Sequence, residues 1–144
     1  MRIGYTCGVF DLFHTGHLNL LENAKKQCDY LIVGVCSDDY VTKIKKKEPV
    51  INEHDRTRIL NALKCVDKAE IVSIEETLDK MLAWKRFGFN ILFSGSDWKG
   101  TERFLETEKQ FKDNNVKLDV IFFDYTVGVS TSDIKKTLQN KGIK

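Results

Sequence analysis

Met1-Arg2-Ile3-Gly4-Tyr5-Thr6-Cys7-Gly8-Val9-Phe10-Asp11-Leu12-Phe13-His14-Thr15-Gly16-His17 opens the chain, and Leu18-Asn19-Leu20-Leu21-Glu22-Asn23-Ala24 continues it. The first six residues predict a strand, and a glycine-containing loop follows. From His17 to Gln27 apolar side chains recur at Leu18, Leu20, Leu21 and Ala24, the spacing of one helix face. Tyr30-Leu31-Ile32-Val33-Gly34-Val35-Cys36 then runs apolar without a break, as a strand buried on both faces does. Strand, loop, helix, buried strand is the opening of a parallel sheet, because parallel neighbours need a crossover between them.

The same alternation continues outward from this opening. A lysine-rich stretch, Lys43 to Lys47, leads to Pro49, the only proline. Asn52, with Asp55 three residues on, has the form of a helix N-cap, and the helix behind it would bury Ile59, Leu60 and Leu63. A short strand is expected at Ile71 to Ile74. A helix is expected at Leu78 to Phe87, with Leu78, Met81 and Leu82 on one side, and a strand at Asn90 to Ser94. Gly95-Ser96-Asp97-Trp98-Lys99-Gly100 forms the exit loop of that strand. A helix from about Thr101 to Asn114, the strand Leu118 to Phe123 and a last helix opened by Ser130-Thr131-Ser132-Asp133 complete the order.

Strand-then-helix repeats about five times, which implies the α/β class: a Rossmann-like three-layer α/β/α arrangement with a mostly parallel sheet of about five strands. No linker, internal repeat or low-complexity block interrupts the 144 residues, so residues 1–144 are read as a single domain. Ligands of such sheets sit beyond the carboxyl ends of the strands. Three loops qualify: Cys7 to Gly16, Gly95 to Gly100 and Asp124 to Ser130.

Composition narrows the function classes. The net charge is only +2, and no basic aromatic face is apparent, so a nucleic-acid partner is not expected. No apolar stretch approaches the ~20 residues that span a bilayer, so neither is membrane insertion. Cys7, Cys28, Cys36 and Cys65 contain no C-x-x-C pair, which argues against a zinc site, and Cys36 reads as a small buried hydrophobe. With no secretory leader before the first strand, the expected setting is a reducing cytoplasm.

His14 and His17 flank Gly16 where the first loop enters the first helix. A helix N-terminus presents unpaired N–H groups and a partial positive charge, which suits an anion. Imidazole N–H groups there add donors without a full fixed charge. Gly8 and Gly16 leave room for a phosphate to approach the backbone. Zinc-protease motifs place two histidines four apart around a glutamate, and Thr15-Gly16 supplies no such base. Two of the chain's three histidines at one junction also outweigh an incidental polar helix start.

Gly8 to His17 resembles the H-x-G-H signature of the nucleotidyltransferase superfamily, and Val127-Gly128-Val129-Ser130-Thr131-Ser132 resembles the second signature of its cytidylyltransferase branch. Phe10-Asp11-Leu12, Glu22-Asn23-Ala24-Lys25, Asp29-Tyr30-Leu31, Cys65-Val66-Asp67 and Gly95-Ser96-Asp97-Trp98 follow the order of the bacterial glycerol-3-phosphate cytidylyltransferases. The resemblance spans nearly the whole chain. It implies transfer of CMP from CTP to a phosphorylated alcohol, sn-glycerol 3-phosphate above others, giving CDP-glycerol for a cell-surface polysaccharide and releasing pyrophosphate. It also implies a homodimer, and Mg2+ carried on the triphosphate.

By the same resemblance His14, His17 and Lys45 would act on the phosphates, and Gly8, Val9, Phe10, Gly16, Asp97, Tyr125, Thr126, Gly128, Ser130, Thr131 and Ser132 would hold the nucleotide. Lys43 and Lys45 match a K-x-K pair with a one-residue gap, and Lys43 and Lys80 would meet the acceptor. A solvated basic loop and an exposed helix residue are the plain alternatives for these lysines. Two departures stand out: Tyr125 replaces the arginine that heads the second signature, and Ser96 replaces an aspartate. A tyrosine supplies no guanidinium charge. Alternatives therefore remain: phosphocholine, phosphoethanolamine or a sugar-alcohol phosphate as acceptor, ATP in place of CTP, or a nucleotide-binding regulatory module without turnover.

Overall fold

A computed structural model describes residues 1–124 and 130–140. Parallel pairing begins at once: β1 (Ile3–Gly8) lies beside β2 (Tyr30–Cys36), with Tyr5 opposite Ile32 and Cys7 opposite Gly34. β3 (Lys68–Val72) adds to the far side of β2. The chain then returns across β1 to lay down β4 (Ile91–Gly95) and β5 (Asp119–Phe123). The sheet order is β3-β2-β1-β4-β5, and every pairing is parallel. The expected α/β class and five-stranded sheet are thus present.

Among the described residues seven α-helices connect and cover these strands: α1 (Thr15–Lys25), α2 (Asp38–Lys43), α3 (Glu53–Asn61), α4 (Ile74–Leu78), α5 (Lys80–Phe87), α6 (Glu102–Asp113) and α7 (Thr131–Asn140). Alternation along β2 divides the core. Leu31, Val33 and Val35 pack with Leu21 and Ala24 of α1 and Leu60 of α3. Ile32 packs on the other face with Met81 and Ala83 of α5 and Phe104 and Phe111 of α6. Two apolar layers result, one on each side of the sheet. On the second face Tyr5 crosses over Gly34, where any Cβ would run into the tyrosine hydroxyl. Among the described residues, no helix is long and apolar enough to cross a membrane.

Three elements depart from the sequence reading, each for a local reason. The third strand covers Lys68–Val72 instead of Ile71 to Ile74. Ser73 starts a capping box, its hydroxyl accepting from Glu76 N–H at 3.1 Å while Glu76 Oε1 accepts from Ser73 N–H at 3.0 Å, and Ile74 is drawn into α4. Being an edge strand, β3 carries Lys68 and Glu70, which hid it from an apolar search. The helix expected from Leu78 to Phe87 breaks at Asp79, whose backbone is extended and whose Oδ1 caps α5 through Met81 N–H. Leu78 and Leu82 are consequently exposed while Met81 and Ala83 are buried. α2 is six residues long, too short for periodicity to reveal. Asn52 caps α3 as expected, accepting from Asp55 N–H at 2.9 Å; Leu60 is buried and Ile59 is not.

Candidate active site

Strand order reverses between β1 and β4, and a crevice opens beyond the carboxyl ends of those strands, where α/β sheets bind ligands. A cleft of about 350 Å³ lies there, walled by the exits of β1 and β4 and by the start of α7. Gly8, Val9 and Phe10 line it from the first side, Trp98 from the second, and Ser130, Thr131 and Ser132 from the third. The loops at Cys7 and Gly95 thus converge with the segment that opens α7.

The first loop is held in a strained path. Phe10 and Leu12 have φ of 55° and 51°, the left-handed region that non-glycine residues rarely occupy. Asp11 stabilises this path from within. Its buried carboxylate accepts from Leu12 N–H at 3.1 Å, Val50 N–H at 2.8 Å and Ile51 N–H at 2.9 Å. Its carbonyl accepts from the Thr131 hydroxyl at 2.8 Å, which ties the first loop to α7. Arg56 of α3 is 1% exposed, and its guanidinium donates to the carbonyls of Val9 (2.7 Å), Cys36 (2.8 Å) and Ile51 (2.8 Å) and to the Asp38 carboxylate (2.5 Å). A buried charge so fully partnered locks the exits of β1 and β2 to each other.

His14 is the N-cap of α1. Its Nδ1 accepts from Gly16 N–H at 3.0 Å, and His17 Nδ1 accepts from His14 N–H at 3.2 Å. The rings stack, 3.8 Å between centroids and 24° apart. With both Nδ1 atoms accepting, each neutral imidazole carries its proton on Nε2, the nitrogen left for a ligand. Burial, then the neighbouring His14, bring the His17 pKa down to about 4 against an opposing pull from Asp11. Burial also lowers that of His14. His17 lines the cleft, and His14 stands beside it at the rim, outside the enclosed volume.

The lysines sort differently from the sequence reading. The N–H groups of Lys45 and Lys47 donate to the Tyr40 and Val41 carbonyls at the end of α2, which turns the run back over the cleft. Lys45 and Lys47 both line it. Lys43 remains on α2, exposed and 3.9 Å from Asp39, and does not line the cleft, so the K-x-K spacing on the cleft wall is Lys45 and Lys47. Asp97 and Gly16 are not in the cleft wall either, although their neighbours Trp98 and His17 are. Tyr125, Thr126 and Gly128 lie outside the described residues.

Behind Gly8 and Val9 the crevice continues into a second cavity of about 240 Å³. Lys45 and Trp98 belong to both spaces; Lys80, Thr77, Tyr40 and Arg103 belong to the second alone. Lys80 donates from Nζ to the Thr77 carbonyl at 2.7 Å. Cys7 and Cys36 meet on its wall with sulfurs 3.7 Å apart. The hydrogen bond between them draws the Cys7 thiol down and, together with burial, pushes the Cys36 thiol up. All four cysteines are free.

Asp11, Arg56, Lys47 and Arg103 were not among the candidate site residues read from sequence, although Asp11 lies in a matched segment and Lys47 ends the lysine-rich stretch. Arg56 sits on a polar, capped helix, where nothing local signals its burial. Only the 47-residue separation bridged to Val9 reveals its role.

A cytidylyltransferase-like family model matches residues 5–137. The glycerol-3-phosphate cytidylyltransferase of Bacillus spizizenii is 36% identical over 138 residues, covering 96% of this chain and 98% of that protein. The enzyme of the same name from Staphylococcus aureus is 32% identical over 144 residues, all of both chains. Among solved structures, the lipopolysaccharide core biosynthesis protein of Thermoplasma volcanium superposes with a TM-score of 0.73 at 26% identity, covering 88% of this chain and 97% of that one.

Proposed function

This chain belongs to the cytidylyltransferase-like family, and from that premise we propose that it transfers CMP from CTP to sn-glycerol 3-phosphate, forming CDP-glycerol and pyrophosphate. The reaction class, a nucleotidyltransferase, follows from family membership and from full-length relatives of the same kind. The single observation that carries the finer reading is the stacked His14–His17 pair at the strand-order reversal, with both Nδ1 atoms already bonded and Lys45 facing the same cleft.

In this reading an oxygen of the acceptor phosphate attacks the α-phosphorus in line. A new P–O bond forms as the bond to the β-phosphate breaks, and pyrophosphate leaves with the electron pair. No covalent enzyme intermediate is needed, so the protein contributes alignment and charge stabilisation. His14 and His17 direct Nε2–H donors at the phosphates. Lys45, shared by the two cavities, bridges the two anions, and Lys47 adds charge at the nucleotide side. Ser130, Thr131 and Ser132 offer hydroxyls and amides from the start of α7, and Val9 and Phe10 offer backbone.

Magnesium is part of the proposal as an ion arriving on CTP, where it would neutralise charge on the leaving pyrophosphate. Among the described residues no group of three or more His, Cys, Asp or Glu is arranged to hold a metal. The ligands proposed for it are mostly phosphate oxygens and water. A homodimer in the cytoplasm, supplying activated glycerol to a surface polymer, completes the reading; sedimentation of the purified protein checks the dimer.

The deciding assay incubates the purified protein with CTP, glycerol 3-phosphate and Mg2+ and follows phosphorus NMR. Equal amounts of pyrophosphate and CDP-glycerol are expected. Absence of both overturns the proposal.

A further inference from the structure

The second cavity has a wall chemistry that the transfer reaction alone does not require. Among the described residues three cations line it, Lys45, Lys80 and Arg103, and no aspartate or glutamate does. It is also aromatic, with Tyr40 and Trp98 on its wall. Aromatic faces ordinarily attract a quaternary ammonium group. Here one such face is already taken: the Arg103 guanidinium lies over the Trp98 ring, 5.3 Å from its centroid.

The position of Arg103 follows from local structure. Thr101 caps α6, accepting from Phe104 N–H at 3.3 Å, and Phe104 is buried against the sheet. Arg103, one residue earlier, is thereby held at the rim, where its side chain reaches back over Trp98. Stacking uses the flat face of a guanidinium; one edge meets the Tyr40 hydroxyl, and the remaining edge N–H groups can meet a phosphate, which a guanidinium presents in a planar array that lysine lacks.

We propose that Arg103 selects the acceptor by charge: by covering Trp98 it turns phosphorylated quaternary amines away, and with Lys80 it binds the phosphate of a phosphorylated polyol. The proposal rests on the cytidylyl-transfer reading above and specifies its acceptor class. It makes Arg103 a specificity-determining residue outside both nucleotide signatures.

The test compares wild type, Arg103→Gln and Arg103→Lys with glycerol 3-phosphate and with phosphocholine. Arg103→Gln should raise the KM for glycerol 3-phosphate roughly 10- to 100-fold, the scale of a lost charge-assisted hydrogen bond, and leave the KM for CTP within about 2-fold. Its preference for glycerol 3-phosphate over phosphocholine should shrink by at least about 10-fold. Arg103→Lys, which keeps the charge, should retain most of that preference. An unchanged preference in Arg103→Gln, a matching rise in the KM for CTP, or a wild type that favours phosphocholine overturns the proposal.

Should the wild type turn over neither acceptor, the reaction reading fails. Calorimetric titration of glycerol 3-phosphate into CTP-loaded wild type and Arg103→Gln then decides the arginine separately. Binding lost in the variant supports the assignment; equal binding, or none to the wild type, overturns it.

Discussion

At the scale of single residues, His14 and His17 do two jobs with one ring each. Nδ1 closes the helix start, and Nε2 is the nitrogen proposed to meet the ligand. His14→Ala and His17→Ala should each lower kcat by roughly a hundred- to a thousand-fold, as loss of one donor to developing charge does. Removing the cap at His14 should also cost about 1 kcal/mol of stability, measurable by urea unfolding. Near-normal turnover would remove both from the chemistry. The depressed pKa of His17, about 4 against an ordinary 6.5, gives a signed pH effect. The folded protein keeps this ring neutral while the unfolded chain protonates it. Its contribution to stability is therefore complete above about pH 6.5 and is lost as pH falls toward 4. Proton NMR should follow the His17 ring titrating near 4, and CTP should raise that value because a phosphate favours the imidazolium. The histidine pair was legible in sequence because both members and their caps lie within four residues. The lysine pair was not, because the end of α2 decides which lysines turn inward.

At the scale of elements, the first loop is only as well placed as the contacts beneath it. Phe10 and Leu12 occupy costly backbone conformations, which Asp11 stabilises from within the loop and Arg56 from outside it. Arg56→Lys keeps a charge but cannot reach three carbonyls and a carboxylate at once. It should destabilise the fold by about 3–5 kcal/mol, the range for breaking a buried charged network, and lower kcat in the fraction that remains folded. Urea unfolding and single-turnover assays together check this; a change under about 1 kcal/mol would show that water replaces the guanidinium. Caps were the readable part of the elements where they were sought: Asn52 and Ser130 each accept from an N–H three residues on, whereas the Ser73 box lay inside a span read as strand. Edge strand β3 was misread because its charged residues are tolerated only where no further strand follows.

At the scale of the whole molecule, cleft and fold are linked by binding. CTP at about 100 times its Kd should add about 2.7 kcal/mol to stability. For a chain of this size that is a rise in Tm of roughly 5–10 °C. ATP at the same concentration should give a clearly smaller rise, and an equal or larger one would argue for adenylyl transfer. The α/β class, the single sheet and the location of the cleft were all accessible from the chain alone. Apolar spacing, capping residues and the glycine-histidine segment are local signals, each set by neighbours a few positions apart. Tertiary structure alone decided that Lys47 lines the cleft while Lys43 stays on α2, that Arg56 is buried beneath Val9 from 47 residues away, and that Arg103 lies over Trp98 in a cavity with no carboxylate among the described residues of its wall. Those outcomes depend on which strand exits the returning chain brings side by side, a property of the sheet order that no short stretch of sequence contains.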